Sequence, residues 1–336
     1  MSKDVYVFAE QRDGNVQKVS LELLGEATKL AGALGEKVVA ILIGQGVKAK
    51  AQELITYGAD SVLVIENDMV KEYVTEPYAK AVCKVIKDCD PSIVLYGATA
   101  IGRDLAPRVA ARHHTGLTAD CTKLEIGAEE GGTKLLWMTR PAFGGNIMAT
   151  IKCANYRPQM ATVRPGVMKI VHDTGRKGEI KDFKVDFVPA DMNVRIRKVV
   201  KEDKKAVDIT ESKVLVSGGR GIGSRDYFAE LGKLAKALGG EVSSSRANVD
   251  AGWIEKERQV GQTGKTVRPN LYLALGISGA IQHLAGMEGS DLIIAVNKNE
   301  TAPIFDVADL GIVGDLKAIV PKLTDAVNKY KAAALK

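Results

Sequence analysis

Aromatic residues make up only 5% of this 336-residue sequence, and they do not interleave with any run of lysine and arginine. The formal charge of +6 is spread through mixed-sign segments such as KVVKEDKK, so no nucleic-acid groove is encoded. Cysteine is scarce as well. Cys83, Cys89, Cys121 and Cys153 show no C-x-x-C spacing, which excludes a locally encoded zinc site or iron–sulfur cluster and leaves reduced thiols. No stretch approaches the roughly 18 uninterrupted apolar residues of a membrane helix. The opening MSKDVYVFAE enters a strand-like run at once, so neither a signal nor a transit segment is expected, and the expected location is cytoplasmic.

What is present is an ordinary globular composition, 46% hydrophobic and 26% charged, in a chain longer than one core of about 150 residues. Two α/β domains are expected, both doubly wound parallel sheets. In the first, VYVFA, KVVAILI, SVLVI and SIVLYG read as buried strands, and Val19, Leu23, Ala27, Leu30 and Leu34 place one apolar stripe on a crossover helix. After Cys121 the pattern changes to short extended pieces broken by Gly and Pro, which predicts a small antiparallel addition. The charged stretch from Asp191 to Ser212 reads as a linker, giving domains 1–207 and 208–336. Beyond it the alternation restarts: KVLVS, helix DYFAELGKLAKALG, EVSSS, LYLAL, a helix from Ser278, LIIAV, and helix DLKAIVPKLTDAVNKY.

The second domain carries the chemistry. SGGRGIGS at 217–224 joins a strand to a helix, where glycines let backbone amides approach phosphate oxygens. Its spacing is not G-x-G-x-x-G, and such a turn also serves plain close packing. Ser243, Ser244, Ser245 and Arg246 stand where an NAD-specific fold offers an acidic ribose ligand, which argues against ordinary NAD binding. GQTGKT at 261–266 lacks the first glycine of a P-loop, Gln259 standing there, yet its amides, Gln262 and Thr263 can bond a heterocycle edge. By itself it reads equally as a surface turn. Ser278 is placed to cap the helix of SGAIQHLAG, and His283 alone reads as a structural helix residue, as do His113 and His114 elsewhere.

Taken together, VSGGRGIGS, SSSRANVDAGWIEKERQVGQTGKTVRPNLYLALGISGAIQHLAGM and IIAVNKNETAPIFDVADLGIVGDL resemble the FAD domain of electron-transfer flavoprotein alpha subunits. GATAIGRDLAPRVAARHHTGLTADCT and RPAFGGNIMATI are similar to the same family, so the resemblance spans nearly the whole chain. It implies FAD contacts from Arg220, Ser245, Arg246, Val260, Gly261, Gln262 and Thr263, then Ser278, Gly279, Ala280, Ile281, Gln282 and His283, and finally Asn297, Asp315 and Leu316. It places Arg246 and His283 by the flavin ring, and Asn297 and Asp315 at the adenosine end. It implies a beta subunit as heterodimer partner, completing the FAD domain, and electron relay to or from an acyl-CoA dehydrogenase. In some members NADH drives electron bifurcation toward ferredoxin, with NADH and a second FAD held by the beta subunit, and this sequence leaves that choice open. Ser224-Arg225-Asp226 departs from some relatives.

The residue types suit the role. A guanidinium or imidazole N–H stabilises the anion left by one-electron reduction more than the neutral oxidised ring. Hydrogen bonds to charged groups contribute about 1.5 to 3 kcal/mol, on the order of 60 to 130 mV for one electron. No acid, base or nucleophile set accompanies the glycine-rich turns, so an electron carrier is expected. The alternative is a flavin- or nicotinamide-dependent oxidoreductase with its own small-molecule substrate.

Overall fold

The computed structural model describes residues 3–129, 131–142, 147–199, 208–210 and 212–334, which form two compact units, Met1–Val200 and Lys201–Lys336. The boundary expected at Val207 lies outside the described residues.

The first unit runs β1 (Val5–Ala9), a two-rung hairpin of β2 (Gln11–Arg12) and β3 (Asn15–Val16), α1 (Lys18–Leu34), β4 (Val38–Gly44), α2 (Ala51–Thr56) and β5 (Ser61–Glu66). It continues with α3 (Thr75–Cys89), β6 (Ile93–Gly97), α4 (Ala100–Arg112) and β7 (Leu117–Cys121). The antiparallel addition follows as β8 (Lys123–Ala128), β9 (Lys134–Pro141) and β10 (Met148–Lys152), before β11 (Gln159–Val163) and β12 (Glu179–Asp182). The main sheet is seven-stranded and parallel, in the order β12-β5-β4-β1-β6-β11-β7.

Burial on both faces explains the near-continuous apolar strands. Val5, Val7, Leu42 and Leu95 face α1 and α2, while Tyr6, Phe8, Ile41 and Tyr96 face α3 and α4. Val19, Leu23, Ala27 and Leu30 of α1 are buried as their spacing predicts, each burial contributing roughly 1.5 to 3 kcal/mol for a full-sized aliphatic chain. Gly35, at φ 72°, ends α1 with its N–H on the helix's last carbonyls. The Thr99 hydroxyl starts α4 by accepting the Gly102 N–H at 3.0 Å.

The second unit runs β13 (Val214–Gly218), α5 (Phe228–Leu238), β14 (Glu241–Ser244), α6 (Arg246–Asp250) and β15 (Leu271–Leu275). It closes with α7 (Ile281–Leu284), β16 (Ile293–Asn297), β17 (Leu310–Val313) and α8 (Leu316–Ala334). Its five parallel strands lie in the order β14-β13-β15-β16-β17. Val216, Leu273 and Leu275 pack beneath Leu231 and Leu234 of α5 and Val320 of α8. On the other face Leu215, Tyr272 and Ala274 meet Val260, Ile277, Met287 and Ile304 from loops and short helices. No described helix is long and apolar enough to cross a membrane.

The helix expected from Ser278 is a single four-residue turn beginning at Ile281, with Ala280 as its cap, and the Ser278 carbonyl instead accepts the Ile304 N–H at 3.0 Å. That bond draws the chain into an extended approach, so the Ser278 hydroxyl caps nothing. The strand β17 was not foreseen, because Leu310 and Val313 are exposed at the sheet edge and leave no buried run to read.

Candidate functional site

The strand order reverses direction between β13 and β15, and in open parallel sheets the crevice beyond the strand ends at such a point receives ligands. Here glycines bring the two strand ends together. The Gly219 N–H donates to the Leu275 carbonyl at 2.9 Å and the Gly221 N–H to that of Gly276 at 3.0 Å. Gly276 adopts φ 65°, a left-handed conformation.

The next strand is tied to the same turn. Ser244 Oγ, Asn248 Nδ2 and the Ser245 N–H all donate to the Gly218 carbonyl, at 2.9, 3.0 and 3.1 Å. This clamp fixes Ser245 and Arg246 opposite the glycine-rich turn. The exposed Arg246 guanidinium meets Asp250 one helical turn on, at 3.1 Å.

The loop after Gln259 is held against α7. The Gln262 N–H donates to the Gln282 carbonyl at 2.7 Å, and Gln259 Nε2 donates to Thr263 Oγ1 at 3.0 Å. Gly261 takes φ 137°, where a Cβ would lie 2.8 Å from the Gln282 carbonyl oxygen. At the end of β16, Asn297 Nδ2 donates to the Ile277 carbonyl at 2.8 Å, and its Oδ1 accepts the Asn299 N–H at 3.0 Å. The amide therefore shapes the wall with both ends engaged.

His283 is buried, with Nδ1 3.1 Å from the Val260 carbonyl and Nε2 3.0 Å from the Tyr272 hydroxyl. A carbonyl only accepts, so Nδ1 carries the hydrogen. Burial pushes the imidazole down to about 4, so near neutrality Nε2 is the acceptor of the Tyr272 O–H. The expectation of His283 as a ready N–H donor to a ring is thereby revised: both nitrogens are spent within the protein.

These elements enclose a cleft of about 860 Å3, within the range of small-molecule and cofactor sites. Arg220, Ser245 and Arg246 line one side, and Val260, Gly261, Gln262 and Thr263 the next. Ser278, Ala280, Gln282, His283 and Asn297 complete the set of expected residues it gathers. Four expected residues lie off the lining. Gly279, at φ 90°, packs on Ile304, and Ile281 points outward at 43% exposure. Leu316, the first residue of α8, is buried in the core with Leu231 and Leu234 of α5. Asp315 stands just before α8, accepting the Lys317 N–H at 2.9 Å and pairing with Lys298 at 3.1 Å, contacts that lower its carboxyl.

The cleft also uses Gly221, Ala247, Gln259, Gly276, Ile277, Asn299, Ala302 and Pro303, which residue-by-residue reading passed over. Their signal is positional, since most stand in turns just past strand ends. Among the described lining residues the charged side chains are Arg220 and Arg246, and none is a carboxylate.

Comparison with known proteins follows the same division. The family model of the electron transfer flavoprotein domain matches residues 5–188, and that of the electron transfer flavoprotein FAD-binding domain matches residues 208–288. The electron transfer flavoprotein subunit alpha of Thermoanaerobacterium thermosaccharolyticum is 55% identical over 330 residues, covering 98% of this chain and 99% of that protein. A protein FixB of Clostridium saccharobutylicum is 54% identical over 321 residues, covering 96% and 95%. The acryloyl-CoA reductase electron transfer subunit beta of Anaerotignum propionicum is 48% identical over 357 residues, covering 98% and 97%.

Proposed function

Since the chain belongs to the electron transfer flavoprotein family, as an alpha-type subunit with an FAD-binding domain, we propose that its cleft holds FAD and relays electrons without transforming a substrate. The observation that carries this reading is the composition of the cleft: two cations, uncharged amides and hydroxyls, glycine shelves, and an imidazole with both nitrogens engaged. A dehydrogenase with its own substrate needs a group free to take or give a proton at the reacting carbon. Among the described lining residues none is free to do so toward a ligand, since the His283 nitrogens are bonded to Val260 and Tyr272.

The residues present fit a dinucleotide. A Cβ on Gly221 would sit 2.8 Å from the Gly276 carbonyl oxygen, and one on Gly261 2.8 Å from that of Gln282, so these lining positions stay bare backbone. The Asn248 Oδ1 beneath the glycine-rich turn is buried without a hydrogen-bond partner. When bound, FAD supplies the group that accepts and passes on single electrons. Arg220 would face its phosphates, where a guanidinium gives paired N–H donors. Arg246 would stand by the ring and favour its reduced, negative form. Gln262 and Thr263 would bond the heterocycle edge, and Asn297 would hold the adenosine side.

The chain acts in this reading as a heterodimer with an electron-transfer flavoprotein beta subunit. Its electrons pass to or from an acyl-CoA dehydrogenase, within NADH-driven bifurcation to ferredoxin. The name of the Anaerotignum relative, an acryloyl-CoA reductase electron transfer subunit, supports the acyl-CoA side. The test is to co-express the chain with its beta subunit, count flavins per heterodimer, and titrate with NADH, with acyl-CoA alone, and with acyl-CoA plus its dehydrogenase. Reduction by NADH and by the dehydrogenase pair, but not by acyl-CoA alone, is expected. Direct bleaching by a small-molecule substrate would overturn the relay.

A further inference from the structure

Behind His283 lies a group of buried hydroxyls larger than one hydrogen bond requires. Tyr272 on β15 is wholly buried, with its hydroxyl 3.0 Å from His283 Nε2. Ser217 on β13 and Ser243 on β14 are register partners and also wholly buried. Both Oγ atoms lack a hydrogen bond of ordinary length, yet both lie near enough to lower the Tyr272 pKa against the upward push of burial. Buried hydroxyls without partners are costly, so their presence calls for a state in which they are used.

We propose that Tyr272, backed by Ser217 and Ser243, is a positioning residue whose hydroxyl reverses to let His283 hold a proton at Nε2 while an electron resides in the cleft. The inference rests on the reading that His283 faces the flavin ring. The Val260 carbonyl fixes Nδ1 as an N–H, so only Nε2 can change its protonation. In the neutral state the Tyr272 O–H donates to Nε2. Once Nε2 is protonated its N–H donates to the Tyr272 oxygen, and the Tyr272 O–H turns to a serine oxygen, since a phenol can donate and accept at once.

The charge balance sets when this happens. From the cleft, His283 shares the lining with Arg220 and Arg246; from β13, β14 and β15 it is backed by hydroxyls, and from the 260 loop by a carbonyl. Burial keeps the imidazole neutral, at about 4, against the Val260 carbonyl, which favours the charged form. A unit negative charge about 4 Å away raises a pKa by about 3 at an effective dielectric constant of about 20, enough to bring it to neutrality. The electron comes from the external donor that the relay serves, and the proton from water. One N–H bond forms at Nε2, and no protein bond breaks because Tyr272 keeps its hydrogen.

The experiment uses the FAD-loaded heterodimer with 15N-labelled histidine, the His283 signals being assigned by their loss in His283→Gln. In the oxidised protein Nε2 should show a pyridine-type shift and Nδ1 a pyrrole-type shift. On dithionite reduction both should become pyrrole-type. In Tyr272→Phe, with flavin content checked by absorbance, Nε2 should stay pyridine-type after reduction, and the Ser217→Ala, Ser243→Ala pair should behave likewise. The pair carries the test if Tyr272→Phe does not fold. An Nε2 unchanged by reduction in the unsubstituted protein, or protonated alike in the variants, overturns the proposal. A heterodimer without flavin would instead sink the FAD reading beneath it.

Discussion

Gly219 and Gly276 meet backbone to backbone: a Cβ on Gly219 would lie 2.2 Å from the Gly276 carbonyl oxygen. Two strand ends can share the floor of the cleft only because neither carries a side chain there. Gly219→Ala should therefore cost about 1 to 3 kcal/mol by overpacking and remove most of the bound flavin. Gly232, within α5, has nothing within 4 Å of its would-be Cβ, so Gly232→Ala should stabilise by about 0.5 to 1 kcal/mol and leave flavin content alone. Thermal melts and absorbance of the purified heterodimers check both. Equal flavin loss in the two variants would separate the glycine floor from binding.

His283 links stability to pH. Its folded pKa, about 4, lies below the unfolded value near 6.5, so between these limits the unfolded chain binds more protons. Stability from the neutral imidazole is thus complete above about pH 6.5 and lost as pH falls toward about 4, by roughly 3 kcal/mol. Urea unfolding of the flavin-free chain at pH 7 and pH 4.5, followed by Trp253 fluorescence, should show this fall. His283→Gln should lose less across the same window. Identical pH slopes would mean that His283 titrates normally.

In the first unit, Glu10 is almost wholly buried at the end of β1, its carboxylate held by Arg12 at 2.9 Å and by the Thr99 hydroxyl. Thr99→Ala removes the α4 cap and one of these partners together. A loss of about 2 to 4 kcal/mol is expected, since a cap contributes about 1 and a buried charged group left short of a partner costs about 1 to 3. The flavin spectrum should not change. A spectral shift would show that the first unit tunes the cofactor directly.

Ile147, Met148 and Ile151 expose apolar surface at the start of β10 and along it, with Tyr156 just beyond. If this face docks the beta subunit, Ile147→Glu with Ile151→Glu should weaken the heterodimer at least tenfold while leaving the melting of the chain unchanged. Size-exclusion chromatography with flavin quantification reads both association and loading. Normal association would move the interface elsewhere.

The buried strands of both units were legible because a parallel sheet covered on two faces leaves continuous apolar runs such as VVAILIG. The short α7 was misread because SGAIQHLAG has helical composition, whereas Gly279 and the bond from Ile304 to Ser278 keep its beginning extended. Of the site, resemblance supplied residues that share no local motif, and the structure shows why no motif exists: the cleft is assembled from four separate strand ends and the 259–263 loop. Tyr272 stayed hidden in LYLAL, since nothing in a strand's alternation tells a core tyrosine from one bonded to a histidine eleven residues later. Asn299 and Pro303 were passed over because a loop past a strand end carries no periodicity.

β11 inserts between β6 and β7, although the whole antiparallel meander separates it in sequence from both. During synthesis, β7 leaves the ribosome with no neighbour in the main sheet, and the outer edge of β6 stays open until residues 159–163 emerge. At about 5 to 20 residues per second, the roughly 40 residues between β7 and β11 take a few seconds to be made. Through that interval the nascent chain displays an unpaired apolar strand edge, a template for wrong pairing with other chains. The meander, which pairs locally and buries Leu124, Leu136 and Met138 against the forming core, is the one part of the region that can fold while it waits.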